Sequence, residues 1–440
     1  MKFFPESTLQ QLEFDKIQEL LTGHCRTEYA RWKTQHLRIH TRLEFIETAL
    51  RQSNEFKTLL QSGDHFPNDF TGNLAREIKL LGIPGASLSG EQFLLIGRLA
   101  ENTAAIFRWF DTERREANPG LSRVIEGNYY EKAIRKAIED VVDETGNVKD
   151  NASEALASIR MNLFRRRNEL RRVFDRIVSK LGKQGYLADI EESFMNGRRV
   201  LAVFAEQKRM VKGVIHSESD SRKTSFIEPE ETTELNNEIF SLEHEESREV
   251  YRILRELTSK LSVYAPLLKS YLDMAGEFDF IRAKARLAID IGGHYPMLKD
   301  RAFVQLINAY HPLLLLYNNN AGKQTIPVNL SLNETNRILV ISGPNAGGKT
   351  VTLKTVGLLQ VMLQAGLLVP VSPDSEMGIF KQLMIHIGDT QSLEFELSTY
   401  SSHLKNMKHF IEHANGKTLF FIDELGSGSD PNLGGAFAEV

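Results

Sequence analysis

The chain has 440 residues, of which 41% are hydrophobic and 25% are charged, and its formal net charge is −4. These values are typical of soluble globular proteins, exclude a polycationic chain, and together with the length predict several domains. The longest leucine run, Leu313 to Leu316, is too short for a bilayer, Met1–Glu6 contains no apolar signal core, and the single cysteine, Cys25, excludes an internal disulfide framework. We therefore predict a cytoplasmic protein without membrane association.

Residues 1–145 are predicted to form a helical core. Apolar residues recur there at helical spacing, for example at Phe93, Ile96, Leu99 and Ile106. Nothing in this region suggests chemistry.

Two long lever helices are predicted, within residues 146–184 and 230–290. Apolar residues recur at helical spacing from Ile159 to Leu181 and again from Val250 to Tyr271. Their charges are opposite, since residues 160–183 carry nine Lys/Arg and two acids, whereas residues 228–256 carry ten acids and three arginines. Two interpretations are open: the helices pair with each other, or a nucleic-acid contact lies beside a solvated face.

Residues 185–229 are predicted to form a small β insert at the tip of these two helices. Strand-like segments cover 197–204, 210–216 and 224–228. Residues 197–223 carry a net charge of about +4, which favours contact with a polyanion backbone without reading of its sequence. The alternative is a solubilised tip that contacts nothing. The predicted nucleic-acid residues are Arg198, Arg199, Lys208, Arg209 and Lys212.

Residues 291–440 change to an α/β pattern, with predicted strands at 303–306, 337–342, 378–387 and 418–423. After the second of these comes Gly343-Pro-Asn-Ala-Gly-Gly-Lys-Thr350, which is a P-loop pattern, followed by a predicted helix from Val351 to Gln364 that Gly366 ends. The strand–loop–helix context favours a phosphate site at a helix N-terminus. The predicted ATP-binding residues are Gly343, Pro344, Asn345, Ala346, Gly347, Gly348, Lys349, Thr350 and Val351.

The P-loop pattern also predicts particular roles. Lys349 is expected to contact the β- and γ-phosphates and to act in catalysis, and the Thr350 hydroxyl is expected to bind Mg²⁺. About 70 residues later an apolar strand, Lys417 to Ile422, ends in Asp423 and Glu424. Asp423 is predicted to hold Mg²⁺ through water, and Glu424 to polarise the attacking water as general base.

The motifs Gly343–Thr355 and Asp423–Pro431 resemble the ATPase of MutS proteins, and Leu12–Ile17, Arg198–Leu201 and Phe226–Pro229 resemble the type-2 MutS branch. The resemblance covers nearly the whole chain. It implies a homodimeric, ABC-like ATPase with paired helical levers and a clamp around DNA or another nucleic-acid assembly, such as a ribosome.

The resemblance also implies roles for individual residues. Leu397–Tyr400 resembles the signature loop of the family, in which Ser398 is expected to reach the γ-phosphate held by the partner subunit; alternatively, Ser398 caps a helix. Asp430-Pro431 resembles a loop that crosses the dimer interface, and His311-Pro312 resembles a segment near the adenine site.

The chain also departs from the family pattern. It stops at Val440, before the strand and histidine that follow the acidic pair in the family, and it has neither an Smr-type nuclease domain nor a mismatch-reading domain. We therefore predict a C-terminally truncated chain.

The predicted fold class is multidomain: a helical core and long lever helices with a small β clamp insert, followed by an incomplete α/β P-loop ATPase domain. The predicted function is ATP-dependent DNA binding in repair or recombination control, with hydrolysis coupled to clamp closure by a homodimer on structured or mismatched DNA. The alternative is a fragment that binds nucleic acid or a ribosome without hydrolysis. A long-armed ABC ATPase of another kind is disfavoured, because the lever of about 30 residues is short for one.

Overall fold

The computed structural model describes residues 1–344, 347–387 and 396–423. The helices are α1 (Thr8–Gln11), α2 (Phe14–Gly23), α3 (Glu28–Gln35), α4 (Leu43–Ser62), α5 (Ala75–Leu81), α6 (Gly90–Trp109), α7 (Thr112–Ala117), α8 (Pro119–Ser122), α9 (Lys132–Glu139), α10 (Glu154–Lys183), α11 (Glu230–Leu261), α12 (Ala265–Asp290), α13 (Pro312–Asn320), α14 (Lys349–Gln364) and α15 (Glu396–His413). The strands are β1 (Lys2–Phe4), β2 (Leu187–Met195), β3 (Arg198–Phe204), β4 (Gly213–Glu218), β5 (Thr224–Pro229), β6 (Met297–Lys299), β7 (Val304–Ala309), β8 (Val328–Leu332), β9 (Glu376–Gly378), β10 (Gln382–His386) and β11 (Thr418–Ile422).

The chain divides into two compact units. The first contains Met1–Asn73, Glu101–Tyr130 and Ser270–Val440, and the second contains Leu74–Ala100 and Glu131–Lys269. This mixture of helices and sheets agrees with the predicted multidomain fold class at that coarse level. The predicted domain boundaries stay a prediction.

The first unit contains two sheets. Strands β1, β10 and β11 form a parallel sheet in the order β1-β10-β11, so that the N-terminal strand lies beside β10. Strands β6, β9, β7 and β8 form a mixed sheet in that order. A parallel sheet brings the carboxyl ends of β10 and β11 to the same edge, which is where ligands bind in open α/β sheets.

Helix α14 lies in the main core of the first unit. Every residue from Thr355 to Gln364 is buried, as expected for a helix that is covered on all sides. Apolar side chains of α2, such as Ile17 and Leu21, and strand residues, such as Ile385, belong to the same core. The helix ends where the sequence predicts, because Gly366 adopts the left-handed conformation (φ 72°) that glycine tolerates best. The buried body of α14 thus anchors the helix in the core of the first unit, while its first turns are half-buried or exposed.

The predicted strand at 337–342 is wrong. No strand is present at these residues, and Ile338 and Val340 are 85% and 84% exposed. A strand needs a neighbour that pairs with its N–H and C=O groups. Within the described part of the chain, no strand pairs with this segment. The segment is apolar, as the prediction assumed, but an apolar segment forms a strand only where a second strand is available to pair with it.

The second unit contains the predicted arm. Helices α10 and α11 pack against each other, and their ion pairs run antiparallel: Arg160 contacts Glu246, whereas Arg166 contacts Glu238. The four strands between the two helices form an antiparallel sheet in the order β2-β3-β5-β4. The sheet packs on the last turns of α10 through a core that contains Phe174, Leu181, Leu201, Val203 and Ile227.

Candidate nucleotide site and nucleic-acid surface

The P-loop residues that the structure describes lead directly into the N-terminus of α14. Gly348 precedes the first helical residue and adopts a left-handed conformation (φ 81°, ψ 15°) that favours glycine. The Gly347 N–H, just before the helix, donates to the Pro344 carbonyl at 2.8 Å. The first N–H groups of a helix have no partner within it and carry its positive end, so this turn presents an anion-binding terminus.

Lys349 and Thr350 begin α14. The Lys349 ammonium donates a hydrogen bond to the Gly343 carbonyl at 2.7 Å, and the residue is half-buried. Its cationic group therefore lies over the loop that the sequence predicts to hold phosphates. Val351, the last predicted nucleotide-binding residue, is 43% exposed in the first turn.

Asp423 and Thr350 come together although 73 residues separate them in sequence. The Thr350 hydroxyl donates to the Asp423 carboxylate at 2.6 Å. Asp423 follows the last residue of β11, and its N–H donates to the His386 carbonyl at 2.8 Å, which extends the pairing with β10. Only 9% of Asp423 is exposed. The sheet edge and the start of α14 thus place these two oxygen ligands side by side.

This donor set fits a magnesium nucleotide. Mg²⁺ prefers oxygen ligands and is usually held by one or two protein groups plus substrate phosphates and water. A hydroxyl and one carboxylate, next to a helix N-terminus, supply that combination. Among the described residues, no three His, Cys, Asp or Glu side chains lie together as a protein-only metal site would require.

Several predicted residues lie outside the described residues, namely Asn345, Ala346, Glu424, Asp430 and Pro431. Ser398 lies near the start of the 18-residue helix α15. Its predicted contact with a nucleotide on a partner subunit stays a prediction.

His311 precedes α13, and only 7% of it is exposed. Burial lowers the pKa of its imidazole below the ordinary value, because the charged form loses hydration, and the nearby Lys354 and Lys16 act in the same direction. Its Nδ1 atom is buried without a hydrogen-bond partner among the described atoms. The structure thus places a buried imidazole, with a lowered pKa and one nitrogen that lacks a hydrogen-bond partner among the described atoms, at the position that the resemblance relates to an adenine site.

The five predicted nucleic-acid residues are not equivalent in the structure. Arg198 donates two hydrogen bonds, at 2.8 and 3.0 Å, to Glu228, which is 1% exposed. Arg199 pairs with Glu192 and Asp175 and lies over the Phe174 ring.

The other three predicted residues lie in the segment between β3 and β4. Lys208 pairs with Glu218 at 2.8 Å. Arg209 and Lys212 are exposed and form no ion pair with any described residue. Arg198 and Arg199 therefore hold the β unit together, and Arg209 and Lys212 are the members of the set that remain accessible to a polyanion.

Glu228 anchors a polar cluster that sequence analysis missed. Besides Arg198, it binds His216 Nε2 at 2.7 Å and accepts from Asn236 at 2.8 Å. Burial by itself raises the pKa of a carboxyl group, but donation from His216, Asn236 and Arg198 outweighs it, so the pKa of Glu228 lies below its usual value. The cluster joins strands β3, β4 and β5 to α11. Its members are distant in sequence, and no local pattern indicates their contact.

The opposite charges of the two lever helices are used for pairing. Arg160 donates to Glu246 at 2.7 Å, and Arg167 donates to Glu243 at 2.7 Å. The pairing interpretation of the charge pattern is therefore correct for these arginines. It does not account for the remaining cations of α10.

No helix in the described part of the chain combines the length and the apolar character that a membrane crossing requires.

Comparison with known proteins gives one family match and a consistent set of relatives. Residues 339–439 match the family described as MutS domain V. The chain is 34% identical over 432 residues to a protein named Endonuclease MutS2 from Geobacillus sp., covering 98% of this chain and 54% of that protein. Proteins of the same name from Carboxydothermus hydrogenoformans (34% over 441 residues, 99% and 54% coverage) and Aquifex aeolicus (32% over 431 residues, 98% and 55%) are similar. The chain spans about half the length of these relatives.

Proposed function

Since the chain is a MutS2-like member of the MutS family, we propose that it binds DNA and couples the binding and hydrolysis of ATP·Mg²⁺ to closure of a dimeric clamp. The observation that carries the proposal is the 2.6 Å hydrogen bond between Thr350 and Asp423 at the N-terminus of α14. It unites the P-loop with the acidic strand end, which are the two parts that ATP hydrolysis requires.

Each residue of the site has a separate task in this proposal. The turn Gly343–Gly348 and the N-terminus of α14 receive the phosphates, and Lys349 exchanges its bond to the Gly343 carbonyl for the β- and γ-phosphates. Thr350 and, through water, Asp423 would hold Mg²⁺, which would neutralise negative charge on the phosphates. Glu424 orients and deprotonates the attacking water.

Dimerisation completes the site in this proposal. Ser398, near the N-terminus of α15, reaches the γ-phosphate bound by the partner subunit, so that nucleotide state and subunit contact are linked. The accessible cations of the β unit, Arg209 and Lys212, then contact the DNA backbone as the clamp closes.

Two variants test the enzymatic part. In a filter-binding assay, we expect Lys349→Ala to weaken ATP binding strongly, whereas Glu424→Gln keeps ATP binding and slows turnover by about 100-fold or more. Absence of ATP binding in the parent chain, or ATP binding that Lys349→Ala leaves unaltered, would contradict the proposed nucleotide site. Normal turnover of Glu424→Gln would show that Glu424 is not the base.

A further inference from the structure

Four of the cations of α10 that do not pair with α11 form a row on the solvent side of the helix. The residues that α10 buries are Leu156, Leu163, Leu170, Phe174, Ile177 and Leu181. At 100° per residue, four exposed cations lie within about 40° of one another and about 160° from that buried face. This outward row consists of Arg165, Arg172, Arg176 and Lys183.

The geometry of the outward row is regular. Its first and last members are separated by 18 residues, or five helical turns, which corresponds to about 27 Å along the axis. Lys180 borders the row and is also exposed. None of Arg172, Arg176, Lys180 and Lys183 forms an ion pair with a residue that the structure describes. The two acids beside the row are already engaged, Glu169 by Arg166 and Asp175 by Arg199.

The other helical arginines of this chain differ in their ion pairing: Arg76, Arg98 and Arg248 are exposed and form no ion pair among the described residues, whereas others pair within their own helix. Arg51 pairs with Glu47, Arg135 with Glu139, and Arg252 with Glu249 and Glu256. The outward row places Arg172 four residues before Arg176, and Lys180, which borders the row, follows Arg176 at the same spacing. Like charges at this spacing destabilise a helix. Solvation of a helix face does not require like charges at this spacing, whereas a polyanion bound along the row would remove the repulsion between them.

We propose that the outward row of α10 binds the phosphate backbone of duplex DNA. DNA presents one negative charge per about 1.7 Å of its axis, so about 27 Å of row faces about eight base pairs of backbone. Arginine suits this role, since its planar guanidinium binds phosphate oxygens in a bidentate manner. The lever therefore contacts DNA along its length, in addition to the tip. This inference rests on the DNA-binding part of the proposed function.

The test is the salt dependence of binding to a duplex of about 30 base pairs, measured by fluorescence anisotropy on the full chain. Removing three phosphate contacts with Arg172→Ala, Arg176→Ala and Lys183→Ala makes the slope of log K against log [salt] less steep by about 2.7. Between about 50 and 200 mM salt, the triple variant then loses about 40-fold less affinity than the parent chain. The matched control replaces Lys79, Lys132 and Lys136, three exposed lysines of the same unit, with alanine and should keep the parental slope.

A second variant separates a direct contact from misfolding. Arg172→Lys, Arg176→Lys and Lys183→Arg together preserve every charge and should keep the parental slope, and the alanine triple should melt at least as high as the parent because repulsion is removed. If the triple alanine variant keeps the parental salt slope, the inference is overturned. The proposed function stays intact in that case if DNA binding by the parent chain still depends on Arg209 and Lys212. A parent chain that fails to bind duplex DNA overturns both. Tighter binding of duplex RNA than of DNA overturns the choice of DNA as the occupant.

Discussion

Arg198 and Glu228 show that a cation in a basic segment can serve the fold before it serves a ligand. Replacing Arg198 with glutamate places two carboxylates together at a site where Glu228 is 1% exposed. If such a variant lost nucleic-acid binding, the cause could be unfolding of the β unit as well as loss of a contact with nucleic acid. Arg209 and Lys212 are exposed and unpaired among the described residues, so their replacement reports on binding alone.

The Glu228 cluster should make the stability of the β unit depend on pH. The pKa of Glu228 is lowered in the folded state, so its contribution is complete above the unfolded value of about 4.3 and is lost as pH falls through the folded value. We expect Glu228→Gln to destabilise the unit by about 3 kcal/mol at pH 7, because Arg198 loses its charged partner. The difference between parent and variant should narrow as pH falls below about 4.5.

Thermal denaturation followed by circular dichroism at several pH values measures this difference. Glu218→Gln, which removes the exposed partner of Lys208, serves as the control and should leave the melting temperature almost unchanged. A gap between parent and Glu228→Gln that stays constant from pH 7 to pH 3 would show that the carboxylate charge does not stabilise the cluster.

At the scale of elements, the sequence predicts α10 and α14 well, but the second predicted lever helix is two helices, α11 and α12, separated by a 3-10 turn at Ser262–Tyr264. Helix α14 starts two residues before its predicted start and ends where predicted, and α10 lies within the predicted range 146–184, since both have long apolar patterns. Strand β8 was missed although Val328, Leu330 and Leu332 alternate with polar residues, which is the period-two signal of a strand. For segment 337–342 the error is the reverse: a strand was predicted and none is present, because an apolar run does not form a strand without a second strand that pairs with it.

The partners within the sites depend on contacts that no local pattern encodes. The P-loop and the acidic strand end were each recognisable from their spacing, but their contact depends on the packing of α14 in one core with β11. The pairing of Arg198 with Glu228, 30 residues away, requires the register of three strands. Likewise, only the packing of α10 separates the arginines that face α11 from those of the outward row.

The exposed segment 337–342 gives a prediction at this scale. Since Ile338 and Val340 are almost fully exposed, replacing both with lysine should change the melting temperature little and should reduce aggregation, because an apolar segment of unpaired backbone is an association site. Ile385→Lys in the buried strand β10 is the control and should unfold the first unit. Strong destabilisation by the Ile338→Lys, Val340→Lys pair would show that this segment is buried in solution.

At the scale of the whole molecule, the proposal makes nucleotide binding and dimerisation two aspects of one equilibrium. ATP with Mg²⁺ should shift the sedimenting species from one copy toward two, and Lys349→Ala should abolish that shift, because a site shared between subunits binds the nucleotide more tightly in the dimer. Ser398→Ala should keep ATP binding and slow turnover by roughly 100-fold, by analogy with the loss of one charge-stabilising donor. Turnover that does not depend on protein concentration, together with a fully active Ser398→Ala, would place the whole site within one chain.

The central claim is that Thr350 and Asp423 form the magnesium part of an ATP site, and the most direct test is the Mg²⁺ dependence of ATP affinity by isothermal titration calorimetry. We expect Mg²⁺ to tighten ATP binding to the parent chain and to the exposed control Asp374→Asn by at least about 10-fold, which corresponds to about 1.4 kcal/mol, and to have no such effect on Asp423→Asn. If Mg²⁺ tightens ATP binding equally in Asp423→Asn and in the parent chain, Asp423 does not form part of a magnesium site.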